Sequence, residues 1–434
     1  MENHDVTELV MHLAFQLTAI LIAAKLAGEV CERWLKIPPV IGELLAGVLI
    51  GPFALGQYEI TQSFGALFPK PHDYGADGGS VIPVSDQLWS VGQIGAMLLL
   101  FLAGLETDAK LFRRYAVPGL AVAAGGVLLP FLFGVLLTVW MGFADSYSDA
   151  EALFMGAIMT ATSVGITARV LSEKKKLDSP EGVTVLAAAV IDDVLGILVL
   201  TVVVGIAATG SISPSEVVKV AAKAVGFWVG LTVIGTLLSD RISRSFLWFK
   251  APGTALALAV ALAFFSSALA ETFGLAMIIG AYSIGLALSS TRLKHSIEQP
   301  LTSITAVMVP IFFVVMGTLV DLGSMKEALT FGIVLTLLAI ISKVIGAGVP
   351  ALFTGFNLRG ASRIGIGMLP RGEVALIVAG VGLSRGVIEQ DEFGVAIMMT
   401  IVTTVIAPIL IVPLFTKGGS GLRKGTEEQG VGSR

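Results

Sequence analysis

Thirteen apolar runs divide this chain: residues 9–30, 39–56, 87–105, 115–142, 151–171, 181–208, 215–239, 254–272, 274–290, 301–321, 327–355, 363–385 and 393–415. Each is of the order a helix needs to cross the hydrocarbon core of a bilayer, about 20 residues. Inside that core every backbone amide and carbonyl needs a partner within the protein. Runs of this length therefore predict an all-α polytopic membrane protein of about 13 transmembrane helices. Composition agrees, since 55% of the 434 residues are hydrophobic and 14% are charged, far from the balance of a soluble domain. The narrowest division lies at AETFG (Ala270–Gly274), between the eighth and ninth runs.

Positive charge tests the count. Cytoplasmic loops of membrane proteins are enriched in Lys and Arg. If the N-terminus is outside and the loops alternate, inside loops hold twenty of the 28 Lys and Arg residues, among them Lys110, Arg113, Arg114, Arg169, Lys174 to Lys176, Arg359 and Arg363. Outside loops hold Lys70, Lys326 and Arg385, and five cations fall within runs. Losing one helix would scramble this alternation, so the expected topology is N-out and C-in, multi-pass in the cell's inner (plasma) membrane. The start MENHDVTE has no basic region ahead of an apolar one and reads as a short extramembrane segment. One long outside loop is expected over about residues 57–86, and a short polar tail after Phe415.

An internal repeat is visible. The third run ends LLLFLAGLETD (Leu98–Asp108) and the tenth ends IFFVVMGTLVD (Ile311–Asp321), each an apolar block followed by Gly, three residues and Asp. Seven helices separate them, an odd number, so the copies have opposite orientations. Inverted-topology repeats of this kind build many secondary transporters.

About fifty residues beyond each Asp comes an oddly polar run. The fifth holds MGAIMTATSVGITARV, with Thr160, Thr162, Ser163 and Thr167 between Gly156 and beyond Gly165. The twelfth holds RIGIGMLPRGEVALIVAG, with Pro370 and three glycines around Arg371 and Glu373. Proline removes a backbone donor and clashes with the preceding turn. Both runs are expected to be helices broken at the midplane, tolerated only where the break is buried in protein or lines a cavity. Half-helix ends there offer carbonyls to cations and amides to anions. Thr160 and Thr167 are equally well explained as hydroxyls bonding back to preceding carbonyls. Thr162 and Ser163 are the better candidates for ion ligands.

The sixth run, LAAAVIDDVLGILVLTVVVGIA, carries two adjacent carboxylates near its centre, Asp192 and Asp193. Ionisable groups in a membrane are costly and usually pair or mark an ion pathway. Neighbours on a helix point about 100° apart, so one carboxylate can face a cavity and the other a partner. The obvious partner is Lys343, mid-run in LLAIISKVIGAGVPAL. One Asp–Lys clamp accounts for only one of the two aspartates. Arg371 and Glu373 stand two apart and cannot share a helical face, and are expected to form a structural ion lock with neighbours. Lys25, Lys219 and Lys223 lie near run ends and should snorkel to the interface. Glu43, within a turn of its helix start, suits the helix dipole.

Other chemistries find little support. The single cysteine, Cys31, permits no internal disulfide, and the four histidines are scattered with no metal-ligand spacing. GIGMLP follows no strand and opens no βαβ unit, so it is not a dinucleotide loop. No cofactor, nucleic-acid partner or enzymatic activity is expected. Adjacent aspartates on one helix cannot converge on one peptide carbonyl, which argues against an intramembrane aspartyl protease. A cation channel gives no reason for the repeat or for Lys343, and an organic-anion carrier would want more cavity arginines than Arg371.

Taken together, PPVIGELLAGVLIGP (38–52), LLFLAGLETD (99–108), TATSVGITARVL (160–171), VIDDVLGIL (190–198), Lys343 and GMLPRGEVALIVA (367–379) resemble the monovalent cation:proton antiporter superfamily. The likeness is to the sodium/hydrogen exchanger type, near bacterial Na+/H+ antiporters and the membrane domains of Kef-type potassium systems, and covers about residues 10–415. It implies a homodimer in the lipid bilayer that exchanges Na+ (also Li+), or alternatively K+, for H+. It also implies an elevator-like division: dimerisation segments 1–109 and 251–323, core segments 110–209 and 324–416, a linker helix in 210–250 and a tail over 417–434. By the same likeness Asp193 is the shared cation and proton ligand. Asp192 pairs with Lys343 and releases it when the ion arrives, and Thr162 and Ser163 add oxygens. Kef-type sequences typically carry Gln–Asp in place of Asp192–Asp193 and possess a cytosolic nucleotide-binding domain not found in these residues. The double aspartate resembles the electrogenic type.

Overall fold

The computed structural model describes residues 3–61, 65–71, 82–209, 214–320 and 329–423. Asp321, Lys326, much of the expected outer loop and the tail from residue 424 lie outside the described residues. The rest is almost wholly helical, and eleven of its segments are long and apolar enough to cross a membrane. The ninth and twelfth sequence runs are instead built from shorter helices, and the span over the fifth run is interrupted at residues 161–163.

The first helices are α1 (Asn3–Val30), α2 (Pro39–Ile50), α3 (Asp86–Glu106) and α4 (Ala109–Trp140). A two-stranded antiparallel hairpin, β1 (Glu59–Thr61) with β2 (Gly65–Ala66), lies between α2 and α3. The fifth run is two helices, α5 (Ala150–Thr160) and α6 (Val164–Glu173). After these come α7 (Pro180–Thr209), α8 (Pro214–Trp248), α9 (Thr254–Thr272), the short α10 (Met277–Leu288), α11 (Arg292–Thr318) and α12 (Leu329–Phe353). The twelfth run is again two helices, α13 (Leu358–Gly367) and α14 (Glu373–Ser384), and α15 (Gln390–Thr416) completes the described helices.

The repeat motif has a local physical content. Asp108 caps α4, its Oδ1 accepting from the Lys110 amide at 2.7 Å and the Leu111 amide at 3.2 Å. Gly104, four residues earlier, is a packing point. A Cβ there would stand 2.3 Å from the Tyr282 carbonyl oxygen of α10. Gly317, its counterpart in α11, has the same relation to Leu44 of α2, at 2.1 Å. Thus α3 lies on α10 as α11 lies on α2. A glycine that lets backbones touch is how helices associate tightly in lipid, where no hydrophobic force drives them together. The two halves meet where Gly125 of α4 and Gly346 of α12 face one another, and a Cβ on either would lie 2.2 to 2.4 Å from the other's carbonyl oxygen.

Contacts fall into two groups. Helices α1, α2, α3, α9, α10 and α11 pack among themselves, and α4, α5, α7 and α12–α15 do likewise. Helix α6 touches both, lying against α2 and α3 as well as α7 and α15. The long α8 leaves Val218, Val225, Val229, Val233 and Leu237 exposed along its length, an outward apolar face of the kind lipid accepts.

Candidate cation site

The last carbonyls of any helix lack intrahelical partners. Helix α5 ends inside the protein at Thr160, and two cations meet its end. Lys343 of α12 is wholly buried and donates to the Thr160 carbonyl at 2.7 Å, the Gly126 carbonyl at 2.8 Å and Asp192 Oδ1 at 3.1 Å. An ammonium has three donors, and these three acceptors use them all. Arg371, from the break after α13 and also wholly buried, donates to the carbonyls of Met159 and Ala161 and, at 3.5 Å, of Ala339. Its own carbonyl accepts from the Thr404 hydroxyl of α15.

The two breaks, residues 161–163 and 368–372, are stitched to each other. The Ser163 amide donates to the Pro370 carbonyl at 2.7 Å. Thr167 of α6 donates to the Gly367 carbonyl at 2.6 Å, so its hydroxyl serves the end of the other broken helix and not its own preceding turn. Thr160 does bond back, to Ala157 at 2.7 Å. Gly372 is required by the crossing, since a Cβ there would stand 2.8 Å from Ser163 Oγ.

The sequence-predicted ligands gather around this crossing. Asp192 and Asp193 sit on α7, both buried, at 2% and 5% exposure. Thr162 is buried beside Asp192, and Ser163 is buried at the start of α6. Two carboxylates, one ammonium and one guanidinium thus share a dry space and nearly cancel one another, the arrangement buried charge requires. The bonds of Arg371 run to carbonyls, so it holds the end of α5. The side chain of Glu373 lies outside the described residues. Lys25 and Lys223 donate to the carbonyls of Ala306 (2.8 Å) and Thr272 (2.9 Å), so each ties two helices together and does more than snorkel.

Two polar clusters escaped the sequence reading. Arg363 of α13, counted above as a loop cation, is buried and meets Glu181 of α7 at 2.6 Å. It also donates to the carbonyls of Leu414, Lys417 and Gly419, closing the ends of α7, α13 and α15. Arg169 of α6 pairs with Glu173 at 2.6 Å and stands 4.0 Å from the buried Glu43 of α2. A GxxxxG spacing in α2 (Gly42, Gly47) and again in α10 (Gly280, Gly285) was the available signal for the repeat's other arm.

Two crossed broken helices enclosing paired charge, in a bundle of two interchanged halves, define a secondary transporter. The profile of the sodium/hydrogen exchanger transmembrane family matches residues 18–417, and the chain belongs to that family. It is 37% identical over 418 residues to the high-affinity Na+/H+ antiporter NhaS3 of Synechocystis, covering 90% of this chain and 87% of that one. It is 34% identical over 398 residues to the Na+/H+-K+ antiporter GerN of Bacillus cereus, covering 92% and 95%. Among solved structures, the sodium proton antiporter MjNhaP1 of Methanocaldococcus jannaschii shares the fold, with a TM-score of 0.69 at 19% identity over 97% of this chain and 100% of that one.

Proposed function

We propose that the protein is a secondary active antiporter that exchanges Na+, with Li+ as a congener, for protons across the cell membrane. The observation that carries this reading is the Lys343–Asp192 pair, 3.1 Å long, held at the end of α5 with Asp193 next to it on α7. A dehydrated monovalent cation needs hard oxygen ligands, and a protonated carboxyl is a poor one. Cation and proton therefore bind Asp193 in exclusion of each other. If only loaded states cross, either gradient drives the other with no cofactor.

The carbonyls at the end of α5 are already engaged by the protein's own cations. Those of Met159, Thr160 and Ala161 already face Arg371 or Lys343. The side-chain oxygens that would serve the ion are those of Asp193, Asp192, Thr162 and Ser163. Arrival of a cation at the aspartates would weaken the hold of Asp192 on Lys343, which keeps its two carbonyl partners.

The two packing groups suit a dimerisation unit of 1–109 with 251–323 and a moving core of 110–209 with 324–416, joined by α8. A homodimer, an elevator motion and an N-out, C-in orientation belong to the same proposal. K+ for H+ is the second reading, favoured by the likeness to a relative whose name includes K+.

Purified protein in liposomes with a pH dye and an imposed pH gradient tests the reading, with Na+, Li+, K+ and choline added in turn. Dequenching with Na+ or Li+ alone supports the sodium exchange. Dequenching with K+ as well moves the assignment to the second reading, and a rate that changes under a potassium clamp makes the exchange electrogenic. No response to any cation overturns both.

A further inference from the structure

A cavity of 600 Å3 opens between the α1–α2 corner and α6. Its wall carries four acids, Glu29, Glu32, Glu43 and Glu173, and four cations, Lys25, Lys36, Arg169 and Lys174. Glu43 is the anomaly among them. It is only 2% exposed, and its Oε2 accepts no hydrogen bond among the described residues. A buried carboxylate oxygen without a donor is costly. Arg169 does not relieve it, because 4.0 Å exceeds hydrogen-bond length and the guanidinium is engaged at 2.6 Å with Glu173.

The position of Glu43 suggests what the oxygen is for. Its chain neighbours Leu44 and Leu45, with Ser163 and Ile166, line a second, apolar cavity that reaches Arg371 and Thr404 at the crossing. Glu43 therefore stands where the polar cavity gives way to the apolar one. Arg169 lies six residues beyond Ser163, about 9 Å along a helix.

We propose that Glu43 is a further carboxylate ligand for the transported monovalent cation, a transient station between the 600 Å3 cavity and Asp193. The proposal rests on the antiporter reading. Glu43 Oε2 supplies a hard oxygen to a partly dehydrated ion. Arg169, facing the station from α6, and Lys25, facing it from α1, keep the ion from binding tightly, which a station on a pathway requires. Glu173 holds Arg169 aside while the ion passes.

The test is cation transport measured separately from each face, in right-side-out and inverted vesicles, with Na+ and Li+ as probes. Glu43→Gln is expected to raise the KM on the cavity face by about tenfold, the loss of one charged ligand, and to leave the opposite face unchanged. Glu43→Asp should restore most of the affinity. Arg169→Gln should lower the KM on the cavity face, because it removes a competing charge. A merely structural latch between α2 and α6 predicts that Glu43→Gln and Arg169→Gln act in the same direction on both faces, and that result overturns the proposal. So does an unchanged KM in Glu43→Gln. Should Glu43→Gln not fold, the direction of the Arg169→Gln shift decides. If Asp193→Asn is dead while Glu43→Gln is normal, the station is wrong and the antiporter reading stands. Full exchange in Asp193→Asn overturns the reading itself.

Discussion

Lys343 Nζ lies 2.7 Å from the Thr160 carbonyl oxygen and 3.1 Å from Asp192 Oδ1, so the ammonium is anchored to the end of a broken helix more closely than to its carboxylate. The ion pair can loosen without setting a bare charge adrift in the membrane. Lys343 is thus both a counter-charge for Asp192 and a cap for α5, and the two roles separate in mutants.

Asp193→Asn is expected to abolish exchange while leaving a folded protein. The amide keeps the shape of the acid but cannot release a proton or neutralise a cation. Proteoliposome flux and thermal unfolding in detergent measure the two halves of this statement. Full-rate exchange would remove Asp193 from the site.

Lys343→Ala should be less severe for transport than Asp193→Asn and more harmful to stability. It leaves Asp192 buried without its partner, a change that costs about 3–5 kcal/mol when a buried pair is broken. It also leaves the Thr160 and Gly126 carbonyls without their shared donor. A melting temperature and a pH profile both equal to wild type would show that the pair is not the support described.

The proposed competition at Asp193 predicts a pH dependence. With proton and cation excluding each other at Asp193, acidification should raise the apparent KM for Na+ in proportion to proton concentration and leave the maximal rate at saturating Na+ unchanged. Flux at several Na+ concentrations and several pH values distinguishes this from a pH switch elsewhere, which would lower the maximal rate instead.

Glu181→Ala should lower the melting temperature strongly. It strands Arg363, only 6% exposed, with carbonyl partners alone, and the loss is about 3–5 kcal/mol on the scale of broken buried pairs. In the double variant Glu181→Ala with Arg363→Met, much of that loss should return, because no charge is then left buried. A double variant that melts with the sum of the two single losses would make the pair energetically idle.

Gly317→Ala should weaken the packing of α11 on α2. The added methyl meets a backbone oxygen, which cannot rotate away, so the helices must separate. Overpacking of this kind costs about 1–3 kcal/mol. The same change at Gly230 of α8, where no atom lies within 4 Å, should be close to silent in the same melt.

Properties that depend on neighbours along the chain were legible without the fold. Apolar length predicted the helices, and proline, glycine and clustered threonines predicted the breaks, because each acts within a turn or two of itself. The cost of charge in lipid pointed to Asp192, Asp193 and Lys343. The meeting of residues far apart was decided only by the tertiary structure. Thr167 and Gly367 are 200 positions apart, and the sequence offered Thr167 a local carbonyl just as readily. Arg371 looked like half of an ion pair, yet it holds the end of α5, 210 residues away. Arg363 looked like a loop cation because its partner Glu181, 182 residues off, resembles an ordinary first-turn acid. Hydropathy records what lipid will accept. Which polar groups satisfy one another follows from where the broken helices cross, where Gly372 of one half of the chain lies against Ser163 of the other.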